Sequence, residues 1–190
     1  MAQDRHIVLL GLMGSGKSSI GRRVAKRLEW PFIDGDTVLE ALTGGRPAAD
    51  VEASEGADSL HELEACVAME AIRRTRPAVI APSASVCESE SVRSLLADQT
   101  VVWLSAPPDF VAGRARRKKH RPLPESDDLE GMFEEQTARR RPLIDDVIDL
   151  DVDRTAGSKD QAADAIVAFV ERRRDEALTR TVQVPGTRMR

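Results

Sequence analysis

Residues 11–18 read Gly11-Leu12-Met13-Gly14-Ser15-Gly16-Lys17-Ser18, which fits G-x-x-x-x-G-K-[ST], a phosphate-binding loop pattern. The chemistry follows from the residue types. Glycines let the backbone wrap closely around an anion, so successive N–H groups point inward. A helix opening at Gly16 adds unpaired N–H donors and the positive end of its dipole. A lysine at position 17 reaches the β- and γ-phosphates of a nucleoside triphosphate, and the Ser18 hydroxyl ligates Mg²⁺. Nucleotide binding is therefore expected at Gly11, Met13, Gly14, Ser15, Gly16, Lys17, Ser18 and Ser19. A chance match in a glycine-containing turn is the plain alternative, and the flanking sequence argues against it.

Those flanks supply the elements that must position the loop. His6-Ile7-Val8-Leu9-Leu10 is a short apolar run of the kind that makes a buried strand. From Ser19 to Leu28, Ile20, Val24, Ala25 and Leu28 fall at helical spacing with arginines and lysines between them. The chain then alternates. A second strand ends at Asp34-Gly35-Asp36, followed by a helix over Thr37–Leu42. A long, mostly helical stretch over Pro47–Thr75 is broken near Gly56. Further strands are expected at Ala78–Ala81, Thr100–Ser105 and Val147–Val152. Helices are expected at Val92–Ala97, Pro108–Arg117, Leu129–Arg141 and Gln161–Arg174. Strands alternating with helices imply an α/β fold with a parallel sheet covered on both faces. One domain over residues 1–175 and a polar tail over 176–190 complete the expected organisation.

Composition narrows the class. With 190 residues, 41% hydrophobic and 32% charged, the chain is long enough to bury a substantial core. A net charge of −4 argues against general nucleic-acid binding. No apolar run approaches the length of a membrane span, and no signal-peptide core opens the sequence, so a cytoplasmic protein without a membrane partner is expected. Cys66 and Cys87 have no metal-ligand spacing and read as ordinary thiols.

Taken together, the pieces resemble the shikimate kinase family within the P-loop kinases. The resemblance runs from about His6 to Val170. It rests on the P-loop, Asp34-Gly35-Asp36, Gly56 through Glu64, Arg121-Pro122-Leu123 and Arg140-Arg141-Pro142-Leu143. It implies a three-layer P-loop kinase fold with a five-stranded parallel sheet. It also implies a lid over about 115–128 and a substrate-binding helical segment over about 36–75. ATP with Mg²⁺, a small-molecule acceptor and a monomer are the implied partners and state. By the same resemblance, Ser18 and Asp34 hold the metal, and Asp36 bonds the acceptor hydroxyls and takes the proton of the attacking one. Arg121 folds onto the β/γ-phosphates, Arg114 lies against adenine, and Arg140 grips a carboxylate. The plain alternatives are a helix-capping Asp36 and a solvated basic face over Arg114–Arg121.

Two departures bear on the acceptor. His61 stands where the family has a second carboxylate-binding arginine, and a protonated imidazole would replace it only in part. Ser83-Ala84-Ser85 stands where the family has three glycines, and each added side chain takes space from the pocket. The expected activity is ATP-dependent phosphoryl transfer to a hydroxyl of a small polyhydroxylated metabolite, with shikimate as the first candidate. A gluconate, other carbohydrate or cyclitol kinase is the second reading. A non-catalytic ATP-binding module is the third, and Lys17, Ser18, Asp34, Asp36 and Arg121 together speak against it.

Overall fold

The structure is a computed structural model that describes residues 5–74, 76–116 and 128–182. Its centre is a five-stranded parallel sheet in the order β2-β3-β1-β4-β5. Strand β1 (Ile7–Leu10) lies in the middle and is buried along its whole length. It pairs with β3 (Val79–Ala81) on one side and with β4 (Thr100–Ser105) on the other. The edge strands are β2 (Phe32–Asp34) and β5 (Leu150–Asp153).

Successive side chains of a strand point to opposite faces, so β1, β3 and β4 each feed two cores. Val8, Leu10, Ile80, Val101 and Trp103 meet Ala65, Ala68 and Ile72 of α4 (Ala57–Ile72) and Val92 and Leu96 of α5 (Glu90–Leu96). Ile7, Leu9, Val79, Val102 and Leu104 meet Ile20 and Val24 of α1 (Lys17–Leu28) and Ala163, Ile166 and Val170 of α8 (Lys159–Val182). This is the expected three-layer arrangement. A smaller cluster joins Leu12 behind the loop to α6 (Pro108–Ala115) and α7 (Leu129–Arg140) through Val111 and Phe133. Another, built on Leu39, Val51, Leu60 and Val67, ties α2 (Gly35–Leu42) and α3 (Ala48–Glu55) to α4.

Several boundaries differ from expectation. Helix α2 begins at Gly35, directly after the strand, rather than at Thr37. Helix α5 begins at Glu90 because the Ser89 hydroxyl accepts from Val92 N at 3.4 Å and caps it. Strand β5 starts at Leu150, since Asp145–Val147 is a 3₁₀ turn and Leu150, opposite Val102, opens the strand register. The closing helix runs on to Val182, past the tail boundary expected at 175. Within the expected lid, α6 ends at Ala115, and 117–127 lie outside the described residues.

Candidate active site

Parallel strands bring their C-terminal ends to one edge, and the loops leaving those ends build the site. The loop after β1 turns at Gly14, whose φ is +89°, and a Cβ there would sit 2.8 Å from the Val111 carbonyl oxygen. Gly16, with φ +101°, is the N-cap of α1, so the first N–H groups of that helix open towards the loop. Gly11, where the loop leaves β1, is buried. The Lys17 ammonium donates to the carbonyls of Gly11 at 2.8 Å and Leu12 at 3.3 Å, spanning the loop from within. Ser15 is fully buried, and its carbonyl accepts from Arg154 Nε at 3.3 Å. Ser19 Oγ accepts from Arg23 Nη1 at 3.2 Å.

The acids arrive from the next strand. Asp34 ends β2 and is the N-cap of α2, and Asp36 sits exposed in the first turn of that helix. Asp36 is therefore inside the first turn of the helix rather than its N-cap. Met13, Gly14, Gly16, Lys17, Ser18, Asp34 and Asp36 all line one cavity of about 240 Å³. Glu40, Pro47 and Ala48 from the α2–α3 segment also line it, with Ala81, Pro82, Ser83 and Ala84 at the end of β3 and beyond. Asp34 accepts from Arg22 at 3.1 Å, a pair whose arginine is largely exposed. An exposed pair of this kind is worth about 0–1 kcal/mol, too little to withhold the carboxylate from a stronger partner. Mg²⁺ takes one or two protein oxygens and keeps waters and substrate phosphates for the rest. The Ser18 hydroxyl and the Asp34 carboxylate on one wall fit that demand. Among the described residues there is no cluster of three or more His, Cys, Asp or Glu side chains suited to a metal.

Other expected acceptor residues are not brought to the cavity wall. His61 is exposed on α4. Ser85 is buried, and its hydroxyl donates to the Glu64 carboxylate, itself only 3% exposed. Arg140 is buried at the end of α7 and held by Glu88 Oε1 at 2.5 Å and Gln136 Oε1 at 2.8 Å. Arg114 lies over the Phe110 ring, 4.0 Å from its centroid, and is not among the residues that line the cavity. Arg121 lies outside the described residues.

Three acids and one arginine complete the picture. Glu40 lies four residues after Asp36 on α2, so the two share a helix face, and that spacing was readable. Glu64, Glu88 and Arg154 reach their partners across long stretches of chain and carry no local signal. Arg154 is 2% exposed beneath the P-loop, with no hydrogen-bond partner for Nη1 among the described residues. Burial, then the like charge of Arg114, works to lower the proton affinity of Arg154. Burial works to raise the Glu88 carboxyl, but hydrogen bonding and charge from Arg140, joined by Arg139, outweigh it and hold Glu88 below its ordinary range. Burial pushes the Cys87 thiol up.

Residues 13–171 match the family model described as shikimate kinase. The chain is 35% identical to a shikimate kinase of Vibrio campbellii over 176 residues, spanning 91% of this chain and 100% of that protein. Its fold superposes on the shikimate kinase of Acinetobacter baumannii in complex with shikimate, with a TM-score of 0.82. The identity there is 26%, covering 90% of this chain and 94% of the other. A gluconokinase of Sinorhizobium meliloti shares the fold at a TM-score of 0.67 and 21% identity, covering 95% of this chain and 99% of that one. A P-loop and an acid pair lining one cavity are thus joined to kinship over nearly the whole chain, and the protein belongs to the shikimate kinase family, ATP-dependent kinases that phosphorylate a hydroxyl group.

Proposed function

We propose that this chain transfers the γ-phosphoryl group of ATP to a hydroxyl of a small polyhydroxylated ring acceptor, with shikimate as the acceptor to assay first. One observation supports the reading: Lys17 and Ser18 of the P-loop line the same cavity as Asp34 and Asp36. Phosphoryl transfer asks the protein for positioning, charge neutralisation and an oriented nucleophile. The loop N–H groups and the start of α1 hold the phosphates, and Lys17 exchanges its two carbonyl partners for the charge that builds on the migrating group. Asp36 orients the acceptor hydroxyl and receives its proton, while Glu40 and Ser83 offer further hydrogen bonds to the acceptor ring. Mg²⁺, held by Ser18 and Asp34, would neutralise phosphate charge when bound.

The α2–α4 segment serves as the acceptor-binding part of the domain, since Glu40, Pro47 and Ala48 form its side of the cavity. Arg121 and Arg114 stay in the reading as nucleotide contacts on sequence resemblance. A monomer acting without nucleic acid or membrane is also proposed. No helix among the described residues is long and apolar enough to cross a membrane.

The test is ADP release with Mg²⁺-ATP and a panel of shikimate, gluconate, quinate and neutral cyclitols. Acceptor-dependent ADP release with at least one ring polyol is expected. ATP turnover that ignores every acceptor would refute the reading, and a clear preference for gluconate would move it to the carbohydrate kinases.

A further inference from the structure

Arg154 follows β5 directly, and its backbone N–H donates to the Ser105 carbonyl at the end of β4 at 2.8 Å. Its side chain, 2% exposed, donates from Nε to the Ser15 carbonyl of the P-loop at 3.3 Å. A Cβ built on Gly16 would lie 4.0 Å from the same nitrogen, so the guanidinium packs against the Ser15–Gly16 peptide. Among the described residues Nη1 has no hydrogen-bond partner. Burying a guanidinium with so few partners costs stability rather than adding to it. The contact therefore calls for a functional reason, and the peptide it holds supplies one. A trans peptide is planar, with its C=O and N–H pointing in opposite directions. Fixing the Ser15 oxygen on the guanidinium thus fixes the Gly16 N–H on the other side of the same plane. Gly16 lines the cavity, and Arg154 is not among the lining residues. The Lys17 ammonium also holds loop carbonyls, those of Gly11 and Leu12. Lys17 lines the cavity, however, whereas Arg154 holds its carbonyl from a buried position outside that lining.

We propose that Arg154 is a positioning residue of the phosphate loop: by tying down the Ser15 carbonyl it aims the Gly16 N–H at a bound phosphate and keeps the oxygen of that peptide away from the anion. It acts through the loop and touches neither phosphate nor base. Two effects then favour the anion together. An N–H donor stands where a C=O dipole of the wrong sign would otherwise turn, and a fixed positive charge lies behind that donor. The inference goes beyond the kinase reading above and shares with it only the binding of phosphate at the P-loop.

The experiment titrates pyrophosphate, ADP and adenosine into ¹⁵N-labelled native protein and Arg154→Met, followed by NMR, which also reads weak binding. Methionine keeps the bulk and removes the donor and the charge. Arg154→Met should weaken pyrophosphate and ADP alike by about 10-fold or more, the scale of one hydrogen bond to a charged group, and leave adenosine unchanged. The Gly16 amide resonance should respond less to pyrophosphate in this variant than in the native protein. Arg154→Lys, which keeps a charge and a donor, should lose less, and equal losses would count against the inference. Weaker adenosine binding with pyrophosphate unaffected would make Arg154 a base contact and overturn it, as would native pyrophosphate affinity in Arg154→Met. One arm needs no variant and so survives a failure to fold. In the native protein the Arg154 Nε–H should exchange slowly with solvent both without and with pyrophosphate, and rapid exchange in the bound state would overturn the inference. Native binding of pyrophosphate and ADP without transfer to any acceptor would refute the kinase reading alone, and binding of neither would overturn both.

Discussion

Gly14 and Gly113 offer the same chemical change with opposite expected signs. At Gly14 the backbone has φ +89°, and an added Cβ would lie 2.8 Å from the Val111 carbonyl oxygen. Holding an L-residue in that conformation costs about 1–3 kcal/mol. Forcing the loop away from α6 to relieve the contact costs a further 1–3 or so, as overpacking does. Gly14→Ala should therefore lose roughly 2–6 kcal/mol, which for a domain of this size lowers Tm by about 5–20 °C. Its nucleotide affinity should fall too, because the shifted backbone no longer points its N–H groups at one centre. Gly113 lies inside α6, with nothing within 4 Å of an added Cβ. Replacing an interior helix glycine by alanine gains about 0.5–1 kcal/mol, so Gly113→Ala should melt about 1–4 °C higher. Differential scanning calorimetry with titration of an ATP analogue reads both effects. A Gly14→Ala protein that melts and binds like the native one would refute the loop geometry.

Asp36→Asn should lower kcat by about 10²-fold or more with little change in Tm, since Asp36 is exposed and does not cap α2; early melting with unchanged kcat would make it structural. The Glu88 carboxyl is held low by Arg140 and Arg139, so its stabilisation is present above its unfolded value of about 4.5 and is lost as pH falls through the lower folded value. A Tm-against-pH series should accordingly show a shallower acid limb for Glu88→Gln than for the native protein, and equal limbs would contradict the pairing. Cys66 is exposed, while Cys87 is buried with its thiol pushed up, so a maleimide at neutral pH should label Cys66 first. Mass spectrometry locates the label, and comparable early modification of Cys87 would count against its burial.

How much was legible depended on whether the determining contacts were local. Strand β4 runs Thr100–Ser105 as read, because a buried central strand is a continuous apolar run between polar ends. Strand β5 shifted because it is an edge strand, half exposed, whose apolar pattern does not mark its start. Helix α8 outran its apolar periodicity because its last turns need only residues that favour helix, such as Glu171, Arg172, Glu176 and Ala177. The P-loop was readable since glycine spacing, lysine and serine lie within one short segment. So was the acid pair at the end of β2. The acceptor side was not. Glu64 binds Ser85 and Glu88 binds Arg140, and each contact joins parts of the chain that no local pattern connects. His61 illustrates the converse, since its place in the sequence suggests a pocket residue, whereas α4 turns it to solvent.

In the proposed reaction the phosphoryl group passes from ATP to an acceptor hydroxyl in the cavity lined by Lys17 and Asp36. The most direct measurement supplies ATP labelled in the γ-phosphoryl group together with the best ring polyol of the panel, then follows the label. With the native protein the label should appear on the acceptor as a phosphate ester, and with Lys17→Ala that transfer should be lost. Label released only as inorganic phosphate, or transfer that survives in Lys17→Ala, would contradict the claim.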